Sequence, residues 1–316
     1  MSLIDANGVN PTALMSQPLL MDGKILAKEE RAKLKGAVAD FVAQQGYAPG
    51  LAVVLVGEDQ ASIDYSRVLV KNANDMGMNS WHIVMPRNTT AAEFTAKLTE
   101  LNNDPMVHGI SIQWPLPPHI TFEQATTTLD PRKDVEGYHP LSSGRLYGGL
   151  DTFIPATPLG GMRLLQHYGF SVESKTCLVV GCGVTVGRPL VTLLWHAGAT
   201  TLVVHKPTPL EVTVKLAKEA DFVFGAAGVA HIIRGEMLKP GAVVVDFGMS
   251  FINGEMYGDV EVESVKQVAA AVTTSPSVSG RLTTIALLEN VLKAARKQLE
   301  VSGVRSQNKS GFLQDN

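Results

Sequence analysis

The strongest constraint on this chain is a repeated alternation of two textures. Short apolar runs rich in β-branched residues are separated by longer amphipathic stretches. The runs lie at 51–57 (LAVVLVG), 80–84, 109–114 (GISIQW), 175–181 (KTCLVVG), 201–205, 222–226 and 242–247. Where such a run shows no polar alternation, both its faces are buried, as in a parallel sheet covered by helices. The stretches between them predict helices over 24–45, 62–76, 90–101, 157–168 and 284–298, with Ile25, Leu26, Leu34, Val38 and Phe41 marking one face of the first. Repeated βα units of this kind specify an α/β fold. Pro115, Pro117 and Pro118 break the pattern once and predict a stiff turn. The first residues and the polar tail from Val301 are expected to be loose.

At 316 residues the chain is long for one core and suits two domains. A net charge of −3 and a pI near 6.2 supply no basic field for nucleic acid or anionic lipid, so neither partner is expected. No apolar run reaches the roughly 18 residues needed to cross a bilayer as a helix, and the start lacks the basic and apolar regions of a secretory signal. With Cys177 and Cys182 as the only cysteines, no disulfide framework exists, and no Cys/His set has metal-ligand spacing. A reducing, cytoplasmic setting without a metal is the expectation.

The run at 175–181 leads into GCGVTVGRP, which spaces Gly181, Gly183 and Gly187 between a buried strand and a helix. Glycines there permit a tight turn and let the backbone approach a pyrophosphate, while a helix N-terminus offers free N–H groups. The same triplet also suits a plain strand-to-helix turn. After the next strand comes His205-Lys206-Pro207-Thr208, where an NAD enzyme usually carries an acid for the ribose hydroxyls. A cation at that place neutralises a 2′-phosphate, which favours NADP over NAD; otherwise Lys206 is a solvated surface lysine. Cys182, inside the turn, reads as a small side chain beside a phosphate site.

In order along the chain stand ASIDY (61–65), QWPLP (113–117), KDVEGYHP (133–140), SGRL (143–146), ATP (156–158), GCGVTVGRP (181–189), DFGM (246–249) and GDV (258–260). Together, over about residues 22–295, they resemble the bifunctional methylenetetrahydrofolate dehydrogenase/cyclohydrolase family, often called FolD. The resemblance implies a C-terminal Rossmann-type parallel sheet, an N-terminal α/β folate domain to which the last helix returns, and a homodimer. It places the folate domain at 1–156 with 285–316 and the NADP domain at 157–284. It implies a folate pocket with Tyr65, Gln113 and Glu136 as catalytic and substrate-binding residues, joined by Trp114, Pro115, Pro276 and Thr283. The cofactor set it implies is Gly181, Cys182, Gly183, Val186, Gly187, Arg188, His205, Lys206, Gly228 and Met249. The implied activity is NADP-dependent oxidation of 5,10-methylene-tetrahydrofolate.

The sequence also departs from the family. A catalytic lysine normally stands one helical turn after the tyrosine, in a Y-V-x-x-K pattern, whereas YSRVLVK puts Leu69 there. Lys71 is two residues further on, about 200° around the helix, and Arg67 is off the Tyr65 face. Hydride transfer needs alignment but no obligatory proton acceptor, while hydrolysis of the methenyl product needs water activation. Loss of the amine is therefore expected to weaken the cyclohydrolase. Glu136 is one methylene longer than the family's aspartate, Trp114 replaces a leucine, and TSPSVSGRLT (274–283) replaces a glycine-rich loop while keeping Pro276, Gly280 and Thr283. Two other readings stay open: a non-catalytic folate- or nucleotide-binding paralogue, and a related reductase acting on a different one-carbon substrate.

Overall fold

The computed structural model describes residues 17–274 and 277–311; the side chains of 277–279 and 301–311 are not part of that description. The elements run β1 (Leu19–Met21), α1 (Lys24–Gln45), β2 (Gly50–Val56), α2 (Gln60–Asp75), β3 (Asn79–Met85), α3 (Ala91–Asn103), β4 (Gly109–Ile112), α4 (Phe122–Thr128), α5 (Pro140–Tyr147) and α6 (Ala156–His167). They continue with β5 (Thr176–Val180), α7 (Gly187–His196), β6 (Thr200–Val204), α8 (Leu210–Ala217), β7 (Phe222–Gly225), β8 (Val243–Asp246), β9 (Ser250–Ile252), β10 (Glu255–Tyr257), α9 (Val262–Val265), β11 (Ala271–Thr273) and α10 (Ser277–Gly311). Among the described residues no helix is long and apolar enough to cross a membrane.

Two compact units share these elements. Residues 17–22, 164–183 and 194–279 form the first, and residues 23–163, 184–193 and 280–311 form the second. The first holds a six-stranded sheet in the order β1-β11-β8-β7-β5-β6, parallel throughout. Strands β7 and β8 are buried along their whole length, and a core of Leu178, Val180, Val223, Val244, Ile233 and Val272 packs against them. The segment 19–21, expected to be loose, pairs with β11 in parallel register, Leu19 opposite Ala271.

The second unit holds a three-stranded parallel sheet, β3-β2-β4, with every residue of β2 and β4 buried. Helix α2 starts at Asp59, whose carboxylate accepts from the Ser62 N–H at 2.9 Å, and α3 starts with a Thr90–Glu93 capping box. After β4 the chain returns along the sheet edge, where Ile110 N donates to Lys133 O at 2.8 Å. Lys133 is buried and donates to Leu101 O and Asp104 O, which caps the carbonyl end of α3. Helix α10 returns to this unit from Gly280 onward. Asn290 donates to Val135 O and Ile154 O, Gln298 donates to His108 O, and Arg163 pairs with both Glu30 of α1 and Glu289 of α10. The helix starts before residue 284 and runs on through 311, further than its apolar face alone predicts. Once nucleated, each added residue gains a backbone bond, and no proline interrupts the tail.

Candidate functional site

Four loops of the six-stranded unit leave the carboxyl ends of neighbouring strands. They are the glycine turn after β5, 205–208 after β6, 226–229 after β7 and 247–249 after β8. From β5 the chain goes to β6 on one side and then to β7 on the other, so the order reverses beside β5, the position where open α/β sheets form ligand crevices. Gly181 has φ +117°, and a Cβ there would lie 2.1 Å from Ala226 O, so only glycine lets the β5 and β7 loops approach this closely. A Cβ on Gly183 would meet nothing within 4 Å, which leaves open space beside the turn.

Two buried carboxyls shape the neighbouring loops. Asp259 accepts from Ala227 N (2.6 Å) and Gly228 N (3.2 Å) through one oxygen and from Val229 N (2.7 Å) through the other. Asp246 accepts from Gly248, Asp259 and Val260 N–H groups at 2.8–3.0 Å. Burial raises both, Asp246 to about 6, against the lowering effect of the N–H donors. Gly228 and Met249 therefore sit on loops fixed from beneath, and Met249 is exposed. The 205–208 turn is closed by Thr208 N donating to His205 O (2.7 Å) and by the Thr208 hydroxyl accepting from His205 N; Lys206 at its tip is exposed. A glycine-lined crevice with a cation at the next strand end fits a phosphorylated dinucleotide. Val186, Gly187 and Arg188 continue the turn in sequence but pack with the second unit, where Arg188 lines a cavity of about 400 Å³ with Phe122, Tyr138 and Ser143.

Within the second unit, side chains from distant segments meet. Gln113, immediately past β4, donates from Nε2 to Ser111 Oγ at 2.9 Å, and Ser111 donates to Glu136 Oε1 at 2.6 Å. Ser111 is fully buried and Gln113 nearly so. Glu136 lies in the turn after the 133–135 edge segment. Gly137 follows with φ +72°, and a Cβ there would sit 2.5 Å from Phe153 O. Asp134 holds the rest of that turn by accepting from Tyr138 N and His139 N. Burial pushes Glu136 up to about 8, with Asp134 adding to the rise and the Ser111 hydroxyl opposing it. The Tyr65 phenol on α2 is held far above its usual range by burial and by the Glu136 carboxyl, and it shares a side-chain hydrogen bond with Thr284 of α10. Burial, Glu136 and Tyr65 raise Tyr138 in the same way.

Tyr65, Gln113 and Glu136 are thus brought together, as the sequence motifs suggested. Leu69, one turn beyond Tyr65, is fully buried. Arg67 and Lys71 point away: their side chains are 68% and 74% exposed, and they pair with Asp64 and Asp75. Trp114 packs on Phe122 (centroids 4.9 Å apart), its indole Nε1 buried without a hydrogen-bond partner and its carbonyl accepting from Ser62 Oγ. Pro115 lines a different hollow, with Asp59 and Arg87. Thr283 donates to Thr157 at 3.2 Å, so its neighbour Thr284 is the residue beside Tyr65. Pro276 lies outside the described residues. Sequence reasoning missed Ser111, Tyr138 and Thr284. Ser111 was findable, because it stands two positions before Gln113 on a strand and so shares its face. Beside Tyr65, a cavity of about 670 Å³ opens between α1, α2 and α10, and Lys24, Lys28, Arg31 and Arg281 line it.

A parallel sheet with a glycine-turn crevice and a second α/β unit holding a phenol–amide–carboxyl cluster define a two-domain α/β protein of the dinucleotide-binding class. Two family models match the chain: the tetrahydrofolate dehydrogenase/cyclohydrolase catalytic domain over residues 21–136, and the NAD(P)-binding domain of the same family over residues 155–299. The bifunctional protein FolD of Dichelobacter nodosus is 42% identical over 289 residues, covering 90% of this chain and 98% of the relative. The crystal structure of the bifunctional FolD enzyme from Campylobacter jejuni superposes with a TM-score of 0.84 at 37% identity, covering 88% of this chain and 99% of that one. The Trypanosoma brucei FolD structure, complexed with NADP cofactor and inhibitor, gives a TM-score of 0.86 at 31% identity, covering 90% and 99%. The chain belongs to the tetrahydrofolate dehydrogenase/cyclohydrolase family.

Proposed function

We propose that this protein oxidises 5,10-methylene-tetrahydrofolate to 5,10-methenyl-tetrahydrofolate with NADP+, and that its cyclohydrolase activity is weak or lost. The observation that carries this reading is the meeting of Tyr65, Gln113 and Glu136 in one cluster, with fully buried Leu69 on the same face of α2 as Tyr65. A bound nicotinamide would supply the hydride acceptor for the reaction. The chain's own residues bind and orient. Glu136 accepts N–H bonds from the pterin, Tyr65 packs against its ring, and Gln113 aligns polar atoms near the one-carbon unit. The cationic lining of the cavity beside Tyr65 suits the carboxylates of a folate tail.

Hydrolysis asks for more. Water must be activated and a proton delivered, and Leu69 supplies neither. Lys206 supports NADP over NAD, with 157–284 as the nucleotide segment and 1–156 with 285–316 as the folate segment. The protein is read as a cytoplasmic homodimer. The exposed edge strand β3, with Trp81 and Val84 open, supports self-association, and the two free cysteines support a reducing compartment.

Purified protein mixed with 5,10-methylene-tetrahydrofolate and NADP+ is expected to develop methenyl absorbance; its absence overturns the dehydrogenase reading. Supplied methenyl-tetrahydrofolate is expected to hydrolyse slowly, and fast hydrolysis overturns the role given to Leu69. Leu69→Lys is expected to raise that hydrolysis by about a hundredfold, the low end of what general acid–base assistance provides.

A further inference from the structure

We propose that Ser111 is a positioning residue that joins Glu136 and Gln113 into one hydrogen-bonded row, so that a proton on Glu136 sets which end of the Gln113 amide faces the ligand. The inference rests on the folate reading only for what the ligand is. The row itself is a property of the free protein.

A serine hydroxyl has one proton to give and lone pairs to accept with. Ser111 gives its proton to Glu136 Oε1 at 2.6 Å and accepts from Gln113 Nε2 at 2.9 Å. An ionised carboxylate suits that arrangement, because it only accepts. The amide nitrogen of Gln113 is then tied to the serine, and its carbonyl oxygen is left to face the ligand. With Glu136 protonated, the carboxyl donates to Ser111, and the serine proton turns to Gln113. The amide must rotate to offer its oxygen, and it then presents N–H to the ligand. Ser111 is fully buried and Gln113 is 4% exposed, so water does not readily substitute for either partner.

The groups facing Glu136 let this exchange occur near neutral pH. Burial and the Asp134 carboxyl in the same turn raise Glu136, the Ser111 bond lowers it, and the balance stands at about 8. Tyr65 from α2 and Tyr138 from the following turn also face it. Both phenols are pushed well above their usual range, so they stay neutral while Glu136 changes charge. Unlike the two phenols, Glu136 is thus raised toward the neutral range, and burial raises Asp134 beside it as well. The ionised form of Glu136 presents a carboxylate and an amide oxygen together, two acceptors suited to a ring bearing N–H donors.

The test uses the ligand-free protein. Carbon-13 signals of the glutamate carboxyls, assigned with Glu136→Gln, are followed from pH 5 to 10 together with the side-chain amide signals of Gln113. Glu136 is expected to titrate near 8, and the Gln113 amide to shift with the same midpoint. Ser111→Ala is expected to move the Glu136 midpoint up by about one pH unit, the effect of losing one hydrogen bond to a charged group, and to flatten the Gln113 response. Ser111→Thr restores both. Ser111→Cys, close in size with a weak donor, is expected to fall with alanine and serves should the alanine variant fold poorly. A Gln113 amide that ignores the Glu136 titration, or a midpoint unmoved in both the alanine and cysteine variants, overturns the proposal. In turnover, the acid limb of kcat/KM is expected to follow the same shift. A moved titration in a protein with no folate turnover leaves the row standing and removes only the functional reading.

Discussion

The carboxyls that hold loops in shape and the carboxyl of the side-chain cluster are satisfied in different ways. In the six-stranded unit, Asp246 and Asp259 each accept three backbone N–H groups, and no side-chain donor is needed to hold the loops in shape. In the three-stranded unit, Asp134 likewise accepts backbone N–H groups, from Tyr138 and His139, whereas half-buried Glu136 takes a hydroxyl from Ser111. A carboxyl satisfied by fixed amides is scaffolding, because its bonds are lost only if the loops unfold. One held by a rotatable hydroxyl keeps spare acceptor capacity, which suits it to meeting a ligand. The first unit thus builds its site from backbone and the second from side chains.

The sharpest way to break this contrast is at Gly181. If the dinucleotide site is made of backbone, one methyl group should destroy it, since Gly181→Ala places a Cβ 2.1 Å from Ala226 O at a positive φ. The expected cost is about 3 kcal/mol or more of stability, combining left-handed strain with steric overlap. Denaturant unfolding and calorimetric titration with NADP+ check it. A variant with parental stability and parental NADP+ binding would show that the loop is not shaped by close backbone approach.

The matching change in the other unit is Glu136→Gln, and its effect depends on pH. The folded-state value of about 8 lies above the ordinary 4.5. The folded protein therefore holds the proton more tightly than the unfolded chain, and stability falls as pH rises through that window. Glutamine removes the charge and with it the fall. The variant is expected to be less active, yet to gain about 2–3 kcal/mol on the parent between pH 5 and pH 8, a figure discounted for partial solvent contact. Thermal melts of both proteins across that range decide it, and parallel pH dependences would mean that Glu136 is ionised throughout.

The same division explains what could be read from the sequence. The glycine triplet and the apolar runs are local signals, so β5 to β8 and the 24–45 helix fall where the pattern puts them. Strands β1 and β11 have three residues each, and they pair across some 250 positions of sequence. Nothing local marks such a pairing. Helices α4 and α5, of seven and eight residues, begin at Thr121 and His139 caps that do not stand out among the turn residues around them. In the side-chain site, Tyr65, Gln113 and Glu136 were legible because motifs carried them. Thr284 was not, since a threonine in a helix has the same chemistry wherever it occurs, and Ser111 was marked only by its spacing from Gln113. Only the fold shows that they face Tyr65 and Glu136.

The smallest expected effect concerns a side chain at the edge of the backbone-built crevice. Lys206 stands at the tip of a turn closed by Thr208, exposed to solvent, so the attraction proposed between it and a 2′-phosphate would be screened. Lys206→Ala is expected to weaken NADP+ binding by about tenfold, roughly 1.4 kcal/mol, and to leave NAD+ binding unchanged. Lys206→Asp goes further, because an acid after this strand accepts from the ribose hydroxyls and repels the phosphate, so preference should turn toward NAD+. The loss in both variants should shrink as salt rises, since screening already weakens the parental contact. Equal losses for the two nucleotides would assign Lys206 to the shape of the turn, and the cofactor preference would then belong to another residue at the crevice.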